Sequence, residues 1–171
     1  MTDEPHRWSP FETKFSSFAA AIDGAGRVTR FWLHAGRADG PRGTRDDAAL
    51  ASVRTQVEAY CAGTRRSFDL AIHFESGSDF ERGVWHEMLK IPFGETVTYG
   101  AIAKTLGEPS AARAVGVACN RNPIPLIVPC HRVVGVGGTL VGFGGGLPLK
   151  RKLLDFESVV VGRPRDLFAS A

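Results

Sequence analysis

Apolar residues recur along this chain with two different periods, and the change from one to the other divides it. Lys14 to Ile22 and Arg27 to His34 flank Asp23-Gly24-Ala25-Gly26, a run with turn chemistry, and predict two paired strands. Ala35 to Arg45 is rich in Gly, Arg and Asp and predicts a loop. Asp46 or Asp47 is placed to cap a helix running to about Ala62, with Leu50, Val53, Val57 and Tyr60 at helical spacing. Phe68, Leu70, Ile72 and Phe74 then alternate with Asp69, Ala71, His73 and Glu75, the pattern of a half-buried strand.

After Glu75 to Asp79 the period becomes helical. Ser78 and Glu81 form a capping-box pattern ahead of Phe80, Val84, Trp85, Met88 and Leu89, and Pro92 and Gly94 end that helix. A second helix is predicted over Thr98 to Leu106, with Tyr99, Ile102, Ala103 and Leu106 on one face and Gly107 as its stop. Ser110 is placed to cap a third helix reaching Asn120. Joined by Gly107-Glu108-Pro109, the two read as a helix-turn-helix. In the third, Ala111, Ala114, Val115 and Ala118 share one face, while the other carries Arg113, Gly116, Val117 and Asn120. That outer face is small enough to approach another surface closely, with Arg113 as its one long side chain. Leu149, Leu153 and Leu154 mark a closing helix that ends near Glu157, and the tail from Ser158 to Ala171 reads as peripheral. The expected fold class is α+β: a small N-terminal α/β domain with an antiparallel sheet (1–77), then a mostly helical C-terminal domain with a helix-turn-helix (78–171).

At 171 residues and 43% apolar content the chain supports a hydrophobic core, and no apolar run reaches membrane-spanning length. Met1 to Pro10 lacks the apolar stretch of a signal peptide, so a cytoplasmic protein is expected. Three cysteines (Cys61, Cys119, Cys130) give an odd count without zinc spacing, which argues against a disulfide framework and leads us to expect no metal and no cofactor. The net charge is only +3, yet Thr98 to Lys152 holds seven basic residues (Lys104, Arg113, Arg121, Arg132, Lys150, Arg151, Lys152) against Glu108 alone. A locally basic segment fits an anionic partner, and equally a solvated basic face.

The densest chemical signal is Asn122 to Val134. Three prolines (Pro123, Pro125, Pro129) stiffen an extended stretch that delivers Cys130 beside His131. Cys61 and Cys119 lie in apolar surroundings and read as structural, whereas Cys130 is followed by a proton acceptor and a cation, which favour the thiolate. Neighbouring side chains do not face each other, so His131 needs a bridging water or a sharp turn at Cys130 to reach the sulfur. A glycine-rich segment follows, Gly135 to Gly146; it matches neither the phosphate-loop nor the dinucleotide pattern and reads as a close-approach loop over a site. On these residues alone Cys130 reads as reactive rather than inert, and a cysteine hydrolase using Cys130 and His131 and a non-catalytic helix-turn-helix DNA binder both stay open.

Pro129-Cys130-His131-Arg132-Val133 resembles the P-C-H-R-V motif of the methylated-DNA–protein-cysteine methyltransferases, the O6-alkylguanine-DNA alkyltransferases. Phe93-Gly94-Glu95, Tyr99 to Ala103, Ala112 to Gly116, Asn122-Pro123 and Gly145-Gly146-Leu147 fall in the same order and spacing, so the resemblance runs from about Phe80 to Glu157. It implies direct, irreversible transfer of an alkyl group from O6-alkylguanine, and from O4-methylthymine, to Cys130, once per chain and with the nucleotide flipped out. Cys130 would be the acceptor, His131 its base through a water, and Glu157 the carboxylate orienting the histidine. Asn122 would brace the turn before the site. Tyr99 would crowd the target phosphate and donate to the guanine, and Arg113 would fill the gap left in the stack. Ala112, Gly116 and Ser110 match the DNA-binding segment, and Val133, Phe143 and Gly144 the base pocket. The partner implied is alkylated double-stranded DNA, bound through the minor groove by a monomer. The family often has Tyr where this chain has Phe143, and some members carry a side chain where it has Gly144.

Overall fold

The computed structural model describes residues 6–35 and 42–163. Parts of the expected loop after Ala35 and of the expected C-terminal tail lie outside the described residues. The chain divides into two compact units, Met1–Glu75 and Ser76–Ala171, each considered by itself.

In the first unit a four-stranded sheet runs in the order β3-β2-β1-β4, built from β1 (Arg7–Glu12), β2 (Ser17–Ile22), β3 (Val28–Trp32) and the two-residue β4 (Thr44–Arg45). β1 and β2 pair antiparallel from Arg7↔Ile22 to Glu12↔Ser17, and β2 pairs antiparallel with β3. The sheet is not purely antiparallel, because β4 joins β1 in parallel. β1 escaped the periodicity reading because Ser9, 0% exposed, sits on its buried side, where its hydroxyl donates to Asp47 at 2.7 Å. Phe11, Phe18 and Phe31 form the aromatic part of the core, with ring centroids 5.4–6.5 Å apart.

Helix α1 (Ala51–Ala62) buries Val53, Val57 and Tyr60 as the pattern predicts, but it starts later than an Asp46 or Asp47 cap implies. Asp46 instead accepts from the Ala49 amide at 2.9 Å and closes a turn ahead of the helix. The alternating stretch 68–75 is a second departure. Phe68, Leu70, Ile72 and Phe74 are half-buried as the alternation requires. Yet only Ile72 bridges to Val28, and no strand ladder forms. Part of the ladder's place is taken by a side chain: the Gln56 amide donates to the Asp69 carbonyl at 2.9 Å and accepts from its N–H at 2.8 Å. Alternation reports which face is buried; it says nothing of what satisfies the backbone.

The second unit is mostly helical. Helix α2 (Asp79–Leu89) opens with the expected capping box: the Glu81 amide donates to the Ser78 hydroxyl, and the Ser78 amide to the Glu81 carboxylate at 2.8 Å. Its buried Trp85 donates from Nε1 to the Ala118 carbonyl at 2.8 Å, which pins α2 to α4 (Ala112–Asn120). Thr98 ends β5 (Val97–Thr98) and caps α3 (Tyr99–Thr105) through a bond from the Ala101 amide. β5 pairs in parallel with β6 (Val133–Val134), so the start of α3 lies beside the residues that follow Cys130.

Ser110 does not cap α4. Ala111 occupies that position with no side-chain bond, and its amide is used by the Glu108 carbonyl at 2.8 Å, which delays the helix. Val115, Ala118 and Cys119 form the buried face of α4, while Ala114 is exposed beside Arg113, Val117 and Asn120. Helix α5 (Leu147–Val160) runs past Glu157, which therefore sits inside the helix on its buried stripe with Leu149, Leu153 and Leu154.

The capping box satisfies two α2 backbone donors at once. Ser78→Ala should therefore lower unfolding stability by about 1 kcal/mol in urea titrations, with the m-value unchanged.

Candidate active site

Cys130 is delivered by a braced turn rather than by an extended run. Asn122 spans the turn: its side-chain oxygen accepts from the Ile124 amide at 3.0 Å and its amide donates to the Val128 carbonyl at 2.8 Å. Within this brace Leu126 is fully buried at φ 76°, the one described non-glycine residue with positive φ. Holding a leucine there costs energy, which the surrounding bonds and burial must supply. The Cys130 amide then closes back on the Val128 carbonyl at 2.8 Å, and Cys130–Arg132 form a single 3-10 turn. The sequence allowed a sharp turn at Cys130 as one way for His131 to approach the sulfur, and the chain does turn there.

Below the turn lies a buried charge cluster. His131 and Glu157 are both 0% exposed and Arg132 only 6%. His131 Nε2 meets Glu157 Oε1 at 2.8 Å. Arg132 donates from Nε to both carboxylate oxygens at 3.2 and 3.0 Å and from Nη2 at 3.0 Å. The Gly94 amide donates to Oε2 at 2.9 Å. Arg132 Nη1 is spent on the Ile91 carbonyl at 2.7 Å. These donors hold the Glu157 carboxyl well below the usual carboxylate range, against the opposing effect of its burial.

An ionised Glu157 only accepts, so the proton of neutral His131 belongs on Nε2 and the lone pair on Nδ1. Nδ1 is buried with no partner among the described residues. Burial pushes the His131 pKa below 6.5, outweighing the attraction of Glu157. The nearby Arg132 and Lys150 charges add to that downward push. Cys130 is 6% exposed, and burial pushes its thiol up, while a hydrogen bond from Asn122 and the nearby Lys150 charge draw it back. Cys119, also buried, is pushed up to about 12, which fits its structural reading.

Lys150 is the polar residue that sequence reasoning missed. It was counted with the basic segment, yet it is 0% exposed. Its ammonium reaches the carbonyls of Val133 at 2.7 Å, Val141 at 3.1 Å and Gly142 at 3.3 Å, and the Tyr99 hydroxyl at 3.3 Å. Lys150 and Arg132 are therefore internal, and the exposed basic charge of the segment is smaller than its count. The position of Lys150, between Leu149 and Leu153 and seven residues before Glu157, was the available signal: it belongs to the buried stripe.

Tyr99 is half-buried and donates from its hydroxyl to the Val141 carbonyl at 2.7 Å. It lines a cleft of about 450 Å³ with Ala112, Arg113, Gly116, Val141 and Gly142. Gly116 faces the Tyr99 ring, 3.9 Å from where a Cβ would lie. Four of the residues singled out from the sequence thus share one cleft: Tyr99, Ala112, Arg113 and Gly116. Ser110 is exposed and not on its wall, nor are Cys130, the half-buried Phe143 and the exposed Gly144. Val133 is buried, and its carbonyl is taken by Lys150.

Residues 79–159 match the family model described as the DNA-binding domain of 6-O-methylguanine DNA methyltransferase. A methylated-DNA–protein-cysteine methyltransferase of Methanosarcina acetivorans is 54% identical over 102 residues, which is 60% of this chain and 65% of that protein, just under two thirds of its length. One of Mycobacterium bovis is 49% identical over 114 residues, 67% of this chain and 68% of that protein. A crystal structure of Mycobacterium tuberculosis OGT in complex with DNA superposes with a TM-score of 0.81 at 37% identity, covering 94% of this chain and 97% of that one. Sharing the family's motif order, its site-bearing domain and its α+β fold, this chain belongs to the methylated-DNA–protein-cysteine methyltransferases.

Proposed function

We propose that this protein repairs DNA by moving the alkyl group of O6-alkylguanine, and of O4-methylthymine, onto the sulfur of Cys130. The observation that carries this reading is the His131–Glu157–Arg132 cluster directly after Cys130: a buried, neutral imidazole with its unprotonated nitrogen unpartnered. His131 Nδ1 takes the thiol proton, relayed by a water, and the Glu157 carboxylate stabilises the imidazolium that results. The thiolate attacks the alkyl carbon, the carbon–O6 bond breaks, and its electron pair passes to the purine. A donor from Tyr99 stabilises that developing charge. The thioether product has no ready hydrolytic route, so each chain acts once, which separates this reading from a cysteine hydrolase.

The cleft beside Tyr99 supports DNA as the partner, approached through the minor groove by α3 and α4 acting as a helix-turn-helix. The target O6 is stacked within the duplex, so the nucleotide is flipped out and Arg113, exposed on α4, fills the gap. Asn122 braces the turn that carries Cys130. Ala112 and Gly116 leave room for the backbone of the groove, with Ser110 at its margin. Val133, Phe143 and Gly144 belong to the segment that receives the base. The protein acts as a monomer in the cytoplasm; among the described residues no helix is long and apolar enough to cross a membrane.

Incubation with duplex DNA containing O6-methylguanine should leave the protein one CH2 heavier, with the added mass on the Cys130 peptide. Cys130→Ala should bind the duplex and acquire nothing; turnover beyond one equivalent would instead identify a hydrolase.

The transfer rate should fall at low pH with a midpoint below 6.5, because His131 must be neutral and burial lowers its pKa. Stability follows the same sign: below pH 6.5 the unfolded chain protonates this histidine while the folded chain resists. Below about 4.5 the depressed Glu157 carboxyl adds a second loss. Thermal midpoints measured from pH 7.5 to 4 should therefore decline in that order.

Arg113→Ala should slow transfer from a duplex roughly tenfold, as flipping costs a few kcal/mol and one filler side chain offsets part of it. Transfer from the free base O6-benzylguanine, which needs no flipping, should be unchanged; equal losses on both substrates would place Arg113 elsewhere in the mechanism.

A further inference from the structure

Lys150 is fully buried in α5, and the mechanism above makes no use of it. An ammonium has three donors and no lone pair, so every oxygen beside it must accept. Four lie within reach of its three hydrogens, so at least one hydrogen is shared: the carbonyls of Val133, Val141 and Gly142 and the hydroxyl of Tyr99, at 2.7–3.3 Å. Tyr99 Oη therefore receives a hydrogen from Lys150 and sends its own to the Val141 carbonyl at 2.7 Å. Two of the carbonyls belong to the glycine-rich segment, and the third to β6 just before it. The ammonium also lies 5.7 Å from the centre of the Tyr99 ring.

We propose that Lys150 is a positioning residue for alkyl transfer: its buried ammonium fixes the Tyr99 hydroxyl as a donor and polarises it toward the leaving purine. With one lone pair engaged by a cation, the hydroxyl is biased to act as a donor. Burial of Tyr99 raises its pKa, so that hydrogen is retained throughout the neutral range. When the purine takes the bond now made to Val141, that carbonyl still holds Lys150 at 3.1 Å and is not left bare. The exchange therefore leaves no buried acceptor unpaired, and a single cation serves both the donor and the carbonyl it gives up.

The inference rests on the alkyl-transfer reading and is separable from it. The test is a cycle of Lys150→Met, Tyr99→Phe and the double variant, each confirmed folded by its thermal transition. The measured quantities are the single-turnover rate of transfer from O6-methylguanine duplex and the DNA concentration at half-saturation. Lys150→Met should cut the saturated rate about tenfold to a hundredfold. Half-saturation should shift by less than about twofold. In the Tyr99→Phe background the same change should slow transfer by less than about twofold, because the group it acts through is gone. Equal losses in both backgrounds, or a shift in half-saturation alone, would overturn the proposal. If Lys150→Met does not fold, Lys150→Gln takes its place in the same cycle, and failure of both to fold would make Lys150 purely structural. Absence of any transfer by the unmodified protein would instead overturn the alkyl-transfer reading itself.

Discussion

A carboxylate with no exposure to water would be prohibitively costly unless every lone pair were answered, and Glu157 is answered from two separate segments. His131 and Arg132 come from the turn after Pro129, and the Gly94 amide from the chain after α2. Glu157 itself stands on α5. Removing any donor would strand charge in the interior, so the cluster fixes the relative placement of these segments as well as the state of the imidazole. Gly94 shows how closely the parts fit: at φ 79°, a Cβ there would lie 2.9 Å from Val161 near the end of the same helix. The Cys130 turn is consequently tied to α5 through two consecutive side chains, and the His131 imidazole inherits that rigidity.

The same helix carries a second internal charge of opposite sign. Lys150 and Glu157 are seven residues apart, two turns along one buried stripe, and each gathers polar groups that hydrophobic packing could not hold. Glu157 organises the side that carries the Cys130 turn. Lys150 organises the side that faces the cleft, through Tyr99 and the backbone of the glycine-rich segment. A single amphipathic helix thereby bears on both the Cys130 turn and the Tyr99 cleft, with Leu149, Leu153 and Leu154 supplying its adhesion to the core.

Much of this was legible in the sequence where the signal was local. The Ser78–Glu81 box, the Thr98 start of α3 and the glycine stop at Gly107 depend on residues within one or two turns of each other, and all three stand in the structure. The local signals failed where another group, near or far along the chain, took over. Ser110 lost the cap to a turn made by Glu108, and stretch 68–75 lost its ladder in part to the Gln56 side chain. β1 was hidden by Ser9, a polar residue made tolerable inside by its bond to Asp47.

The sequence alone set one cysteine apart from the others. Cys130 between a proline and a histidine-arginine pair, in a chain whose other cysteines lie in apolar surroundings, singled out one sulfur, and the motif order around it identified the family. It could not show that Arg132 and Lys150 are internal rather than part of a basic surface, because charge is read residue by residue while burial depends on what folds over it. Nor could its periodicity join Tyr99 to Arg113 across one cleft, or His131 to Glu157, a pairing that only the family resemblance implied. Those meetings span many residues, and only the packing of α3, α4 and α5 around the Cys130 turn brings the groups together.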